Sequence, residues 1–376
     1  MVDTGEPHED PRYACLIGNG VSIGYSPNLA IAPMTTKLIA KFTMLAGGDA
    51  EEALKTLGDE AHGGAAGFES MLGPLEATSR ALEALSSLAP LAANAPVARQ
   101  QLIGTIEFTS NVHRIGLSTV LELVSKYGVN VGGTSFDGIV AFAQAIKDLA
   151  KVPHISVATL NYDGLTHAGF LRIEQPICDL ASGRTVDRDF FAVVHGGRKI
   201  LGNCLRDHDD LLDDSMALIQ LHGSLAWLRE PRLGMYKFDL EALRSLGYWE
   251  ALRNGQTDWL PVVVLTDQKE RQIQRTPFSL AYDIFQRRLV AADHWLIAGY
   301  GLKDAPVNEL FRTAAMTRKA IGLRAPKILV VDYGVEVDEK RKEASISLGL
   351  PENVIKVSVA GAPGVLKTQE WNDWAT

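Results

Sequence analysis

Short apolar runs followed by glycine or polar residues are the feature that most restricts the fold of this 376-residue chain. Beyond Leu260 these runs alternate with helical segments. Apolar runs of this length that alternate with helices are typical of parallel strands covered by helices on both faces. The sequence therefore predicts an α/β fold with a Rossmann-like, doubly wound parallel sheet. In this region the predicted strands are Pro261–Leu265, Trp295–Ala298, Lys327–Val331 and Val354–Val359, and the predicted helices are Ser279–Ala291, Pro306–Lys319 and Asp338–Ser347.

The first half of the chain is predicted to contain three further strands and a long helical stretch. The strands are Tyr13–Ile17, Ile155–Leu160 and Ala217–Leu221. A first helix is predicted at Thr36–Leu45. Glycine and proline then divide the stretch before the second strand into helices at Glu51–Leu57, Pro74–Leu88, Ala98–Tyr127 and Phe136–Leu149. Pro74 suits the first turn of its helix. We expect a discontinuous Rossmann-like core at 13–49 and 151–360, a helical insertion domain at 50–150, and a short polar C-terminal tail at 361–376.

Composition excludes several classes of protein. The net charge of −8 and the pI of about 5.6 argue against broad binding to nucleic acid or anionic membranes. Three isolated cysteines cannot form a disulfide framework or a four-cysteine zinc site. The acidic cluster between Asp207 and Asp214 is more typical of a solvated loop than of a metal site, so no metal is expected. With no signal-peptide pattern and no long apolar run, we expect a cytoplasmic protein with no membrane span.

Four polar or glycine-rich segments follow four of the predicted strands. They are Gly18-Asn19-Gly20-Val21-Ser22, Thr159-Leu160-Asn161-Tyr162-Asp163, Leu221-His222-Gly223-Ser224 and Ala298-Gly299-Tyr300-Gly301-Leu302-Lys303-Asp304. Ligands of open α/β sheets bind at the carboxyl ends of the strands, so we expect one shared site. The residue types suit a dinucleotide: glycines for a pyrophosphate, amide and carboxylate groups for a ribose, and a histidine for acid–base chemistry.

Each segment taken alone has a simpler interpretation. Glycine turns after strands are common, and Asn161 and Asp163 suit an Asx turn. Asp304 lies just before Pro306 and suits the N-cap of a helix. A single histidine is more often structural, and His195 offers a rival His-Gly pair in a less regular segment. On the sequence alone, a Rossmann-like domain with four ordinary turns stays open.

Taken in order, the four segments resemble the motifs of the sirtuin-like NAD-consuming family. Gly18–Ser22 resembles its GAGxS turn, with Asn19 in place of the usual alanine. The Asn161 segment matches TxNxD, and His222-Gly223 matches the HG pair that carries the catalytic histidine. The Tyr300 segment resembles the "IxGYSLxD" segment of bacterial defence members, with glycine at 301 where serine is usual.

The resemblance implies NAD+ as substrate, with His222 and Asn161 as catalytic residues. The NAD-binding residues that it implies are Gly18, Asn19, Gly20, Ser22, Asp163, Gly223, Gly299, Tyr300 and Asp304. Deacylating sirtuins carry a four-cysteine zinc ribbon, which this chain cannot form, so the chain resembles the zinc-free bacterial branch. That branch hydrolyses NAD, often in antiphage defence. A catalytically silent NAD sensor and a protein deacylase are the alternatives.

The same resemblance implies an assembled and regulated protein. We expect a homo-oligomer, and control by a partner such as a HerA-type ATPase or an Argonaute-like protein. Within the helical stretch, the Pro74–Leu88 segment carries leucines at three- and seven-residue steps on one face. That face suits either a contact with another chain or packing against neighbouring helices.

Overall fold

A computed structural model describes residues 11–62, 67–87, 96–128, 134–151, 154–181, 190–195, 198–205, 216–264 and 269–376. The described part holds two sheets. In chain order the strands are β1 (Tyr13–Ile17), β2 (Ile155–Thr159), β3 (Ile177–Cys178), β4 (Phe190–His195), β5 (Arg198–Cys204), β6 (Met216–Gln220), β7 (Gly223–Glu230), β8 (Gly234–Phe238), β9 (Leu260–Val263), β10 (His294–Ala298), β11 (Lys327–Val331) and β12 (Ile355–Ser358).

Helices surround the first sheet on both faces. In chain order they are α1 (Asn19–Tyr25), α2 (Ile31–Ala46), α3 (Asp49–His62), α4 (Phe68–Ser86), α5 (Pro96–Gly128), α6 (Thr134–Lys147), α7 (Leu165–Arg172), α8 (Leu240–Ser245), α9 (Tyr248–Arg253), α10 (Lys269–Ile273), α11 (Phe278–Ala291), α12 (Ala305–Ala320), α13 (Val337–Leu348), α14 (Gly361–Val365) and α15 (Gln369–Ala375). None of the described helices is long and apolar enough to span a membrane.

The first sheet confirms the predicted fold class. Its seven strands are all parallel and follow the order β12-β11-β10-β1-β2-β6-β3. Strand order reverses at β1, whose neighbours are β10 and β2. Such a reversal opens a crevice at the carboxyl ends of the strands, and Gly18 follows β1 at that point. Two hydrophobic clusters cover the two faces of the sheet.

A second, antiparallel sheet was not predicted. Its strand order is β4-β5-β8-β7-β9. The prediction that Pro261–Leu265 belongs to the parallel sheet is wrong, because β9 pairs antiparallel with β7. A short apolar run fits either kind of sheet, so its partner depends on tertiary contacts. The sequence of Arg229–Thr257 is typical of a polar insertion and predicts one helix, at Leu240–Leu252. The structure instead has β8 and two helices there, and the helices are separated at Gly247, which has a φ of +65°.

The helical stretch between β1 and β2 contains α1 to α6. Helix α1 was not predicted, and α2 begins five residues before its predicted start. Ser26-Pro27 looked like the continuation of a loop, but Pro27 begins a short 3-10 turn at Pro27–Leu29 that leads into α2. Pro74 lies inside α4, which begins at Phe68, and not in its first turn. Leu75 packs against the core, while Leu85 is half exposed, so the leucine face is only partly covered.

The C-terminal residues are not a polar tail. They form α14 and α15, and Trp371 and Trp374 of α15 are buried. The Trp374 indole donates a hydrogen bond to the Lys327 carbonyl at 3.1 Å, and the Tyr13 hydroxyl donates one to the Ala375 carbonyl at 2.8 Å. The two tryptophans, in a segment otherwise polar in sequence, were the signal for this packing.

Candidate active site

The four predicted segments meet at the carboxyl edge of the parallel sheet. Hydrogen bonds between backbones hold them in pairs. The Gly18 amide donates to the Ala298 carbonyl at 2.8 Å, and the Leu221 amide donates to the Thr159 carbonyl at 3.0 Å. Side chains then connect the first segment to the second, since Asn161 donates to the Gly18 carbonyl at 3.2 Å.

The glycines of the first and fourth segments are required by their own close contact. A Cβ atom on Gly18 would lie 2.5 Å from the Gly299 carbonyl oxygen, and one on Gly299 would lie 2.3 Å from the Val21 nitrogen. The Gly20 amide donates to the Gly299 carbonyl at 2.8 Å. The amides of Gly18 and Gly20 are thus engaged within the protein, which the sequence did not indicate.

Ser22, Asn161 and Asp163 form a buried hydrogen-bonded chain. The Asn161 Nδ2 donates to Ser22 Oγ at 2.8 Å, and Ser22 Oγ donates to Asp163 Oδ2 at 2.7 Å. The Asp163 Oδ1 accepts from the Leu165 amide at 3.0 Å at the start of α7. Burial raises the pKa of Asp163 above its ordinary value, although the bonds from Ser22 and Leu165 oppose the rise.

The hydrogen bonds among Ser22, Asn161 and Asp163 fix the orientation of the Asn161 amide group. Because Nδ2 faces the Gly18 carbonyl and Ser22 Oγ, the assignment of its two ends follows from the acceptors around it. The Oδ1 atom is buried and has no hydrogen-bond partner among the described residues. A buried acceptor without a donor is costly, and it is typical of a site that a ligand or water completes.

Replacing Ser22 by alanine is expected to destabilise the protein and loosen Asn161. The change removes a donor from Asp163 and an acceptor from Asn161, which should cost about 1–3 kcal/mol of unfolding free energy. Urea unfolding measures the effect. Ser245→Ala is the matched control, since Ser245 is exposed on α8 and bonds only within its helix, and it should change stability by less than about 0.5 kcal/mol. Equal stabilities of the two variants would show that the hydrogen bonds of Ser22 do not stabilise the protein.

His222 lies where the polypeptide leaves the parallel sheet and enters the second sheet. It follows β6 by two residues and precedes β7, and its side chain is buried. Its Nε2 lies 3.4 Å from Asp304 Oδ2 and 3.3 Å from the Tyr282 hydroxyl. Burial lowers the pKa of His222 below the ordinary value, Asp304 opposes this, and the charge of Lys269 adds to it. The imidazole is therefore neutral at pH 7 and able to accept a proton.

Two groups that were not predicted complete this cluster: Lys269 pairs with Asp304, and the Tyr282 hydroxyl lies against His222. Lys269 Nζ lies 2.5 Å from Asp304 Oδ2. Burial alone would raise the pKa of Asp304, but contacts with His222 and Lys269 outweigh it and hold that pKa well below its usual range. Among the groups that lower it, the hydrogen bond with His222 contributes most, and the charge and hydrogen bond of Lys269 add to it. No sequence pattern marks Lys269 or Tyr282, because neither lies next to the four segments.

The other predicted residues have mainly structural contacts. Asn19 donates to the Leu29 carbonyl at 3.4 Å, and Asp304 Oδ1 caps α12 by accepting from the Val307 amide at 3.3 Å. The Tyr300 hydroxyl donates to Asn308 Oδ1 at 2.8 Å. Gly223 has a φ of +82° and turns the chain into β7.

Two of the predicted features lie wholly or partly outside the described residues. The acidic cluster at 207–214 lies wholly outside them, as do Gly196 and Gly197 of the rival His-Gly pair. Within the described ranges, no three histidine, cysteine, aspartate or glutamate residues form a group that could hold a metal ion.

Stability is expected to fall when the pH drops below about 6.5, the ordinary histidine pKa. Besides His222, burial lowers the pKa of His113, His167 and His294, each to about 4. Below pH 6.5 the unfolded chain binds protons that the folded protein does not, so the free energy of unfolding decreases as the pH falls. Each proton contributes up to about 1.4 kcal/mol per pH unit. Urea unfolding at pH 7, 6 and 5 measures this, and equal stability at all three would contradict it.

No family model and no curated protein sequence matches this chain. Among solved structures, it is similar to a Sir2 enzyme studied for mechanism and regulation, with a TM-score of 0.40 and 10% identity over 98% of this chain and 91% of that one. It is also similar to a Sir2 homologue in complex with NAD, with a TM-score of 0.40 and 14% identity over 97% and 90% of the two chains. A third is Sir2 with the inhibitor EX-527, 2'-O-acetyl-ADP-ribose and deacetylated p53 peptide, with a TM-score of 0.34 and 11% identity over 87% and 84%.

Proposed function

We propose that the protein is an NAD+ glycohydrolase that cleaves the bond between nicotinamide and ribose. The observation that supports this best is the buried Asn161 Oδ1 on the segment after β2, which has no hydrogen-bond partner among the described residues. The neutral His222 follows the adjacent strand, β6, at the same edge of the sheet. An oriented acceptor beside a buried base suits a ribose hydroxyl or a water molecule.

Cleavage of the bond between nicotinamide and ribose does not require a strong general acid. Nicotinamide leaves as a neutral amine, and the ribose carbon gains oxocarbenium-like character, as in glycoside hydrolysis. Asn161 Oδ1 would accept a hydrogen bond from a ribose hydroxyl or the attacking water, and His222 would take the proton. Water adds to the sugar carbon as the bond to nicotinamide breaks, which yields ADP-ribose and nicotinamide.

The remaining residues would act in two ways. Gly18, Asn19, Gly20, Gly223 and Gly299 would form the surface against which NAD lies. The polar atoms of a second group of residues are hydrogen-bonded within the protein, so these residues would position the catalytic pair. They are Ser22, Asp163, Tyr300 and Asp304.

Incubating the purified protein with NAD+ tests the proposal. We expect nicotinamide and ADP-ribose to appear in equal amounts on chromatography. Because the resemblance implies an enzyme that is silent until activated, the assay includes the protein at several assembly states and with its genomic neighbour. Absence of nicotinamide under all these conditions would contradict the proposal. NAD binding without turnover would favour a sensor, and NAD consumption only with an acylated peptide would favour a deacylase.

We further propose that the activity serves antiphage defence by depleting NAD and is controlled by self-association or by a partner such as a HerA-type ATPase or an Argonaute-like protein. The support is the motif resemblance and the half-exposed leucine face of α4. Light scattering of the purified protein measures its assembly state.

A further inference from the structure

A cavity separate from the His222 site lies between the helical stretch and the antiparallel sheet. Its volume is about 370 Å³, which lies within the range of small-molecule sites, about 300–1,000 Å³. Helices α4 and α5 form one wall, strands β7 to β9 form the other, and the segment from α10 to α11 closes one end. It shares no lining residue with the His222 site described above.

The cavity is strongly basic in a protein whose net charge is −8. Among the described residues, its lining includes Arg80, Arg114, Arg229 and Arg275 against a single carboxylate, Glu76. Glu76 pairs with Arg80 on the same helix. Arg229 and Arg275 are exposed, so the cavity opens to solvent, and within the described ranges no carboxylate lies within ion-pair distance of either. Several arginines without counter-charges are the usual means of binding a phosphate.

Two buried donors or acceptors on α5 lack partners in this cavity. They are His113 Nε2 and Arg114 Nε, neither of which has a hydrogen-bond partner among the described residues. They lie on adjacent residues of one helix, and both residues line the cavity. A bound anion would give the guanidinium its missing acceptor, so the orphaned atoms indicate a ligand independently of the arginine count.

Besides a few neutral polar side chains, such as Ser79, Ser110 and Thr276, the lining has a large apolar part. It is formed by Leu117, Met235, Leu252, Leu260, Val262 and Phe278. A bare phosphate ion would leave this surface uncovered, whereas a flat organic group attached to the phosphate would bury it. We propose that the cavity binds a phosphorylated nucleoside, with its phosphates against the arginines and its base against the apolar side chains of the lining.

The location of the cavity suggests why such a site would matter. Val262 and Val263 line it, and the next residue, Val264, donates a hydrogen bond to the His222 carbonyl at 3.0 Å. Helix α10 carries Lys269, which pairs with Asp304, and Gln272, which donates to Glu76 in the cavity wall at 3.1 Å. A ligand in the cavity would therefore affect two groups that contact His222, namely the Val264 backbone and Asp304.

Calorimetric titration with ADP, adenosine and inorganic pyrophosphate tests the proposal. We expect ADP to bind more tightly than adenosine or pyrophosphate, because only ADP contacts both the arginines and the apolar side chains. Arg114→Gln/Arg275→Gln should weaken ADP binding by at least about tenfold, which is the loss of one charge-assisted hydrogen bond. Arg172→Gln/Arg287→Gln, at two exposed arginines outside the cavity, is the matched control and should bind ADP as the wild type does. Arg275→Gln alone, at an exposed position, serves if the double variant does not fold.

Two comparisons separate this site from the His222 site. Asn161→Ala should retain ADP binding, while the cavity variants should retain NAD binding. The proposal is overturned if ADP does not bind the wild-type protein, if the arginine variants bind it unchanged, or if Asn161→Ala abolishes ADP binding. Failure to cleave NAD would overturn the proposed function but would leave these outcomes unaffected.

Discussion

Replacing His222 by alanine is expected to lower the rate of NAD cleavage by about 10²–10⁴-fold, the usual effect of losing a general base. The neutral, buried imidazole follows the strand next to that of Asn161, at the same edge of the sheet. The measurement is nicotinamide release under activating conditions, with circular dichroism to verify folding. The rival histidine supplies the comparison: His195→Ala should retain activity, and loss of activity in that variant alone would transfer the role to His195.

Asn161→Ala tests the other half of the catalytic pair and should also remove most activity. Its expected signature differs, because Asn161 orients the ribose and water and does not carry the proton. The variant should lower activity at every pH, without changing the shape of the pH–rate profile, whereas loss of the base should abolish the profile. Asn353→Ala, at an exposed asparagine between α13 and β12, is the control. A soluble, fully active Asn161→Ala protein would show that the unpartnered oxygen has no catalytic use.

Gly223→Ala is expected to be the most destabilising single change next to the site, by about 3–5 kcal/mol. The φ of +82° disfavours alanine, and its Cβ would lie 2.1 Å from the Val262 carbonyl oxygen. The β9 backbone cannot retreat easily, because Val264 donates to the His222 carbonyl. The change should therefore also displace His222.

Gly247→Ala separates the two causes in that prediction. Gly247 has a φ of +65° but open space where the Cβ would lie, so alanine should cost only about 1–2 kcal/mol there. Urea unfolding of both variants gives the cost of the steric clash as the difference. If the two variants lose the same stability, the backbone contact between β7 and β9 is not as tight as described.

Much of the candidate site was predictable because its residues follow predicted strands directly. Ser22, Asn161 and His222 each lie within a few residues of a strand end, and parallel strands bring such positions to one edge. The purpose of the glycines was less predictable. Gly18 and Gly299 were expected to admit a pyrophosphate, and the structure shows that each is also required by the backbone of the other.

The sequence by itself determined the parallel sheet, since alternating apolar and amphipathic segments are local patterns that specify strand and helix without reference to distant residues. Only the tertiary structure decided which sheet β9 joins, that α15 buries two tryptophans, and that Lys269 and Tyr282 flank Asp304 and His222. Those outcomes depend on contacts between residues far apart in the chain. The unpartnered oxygen of Asn161 belongs to the same class, because its orientation follows from Gly18 and Ser22, about 140 residues earlier.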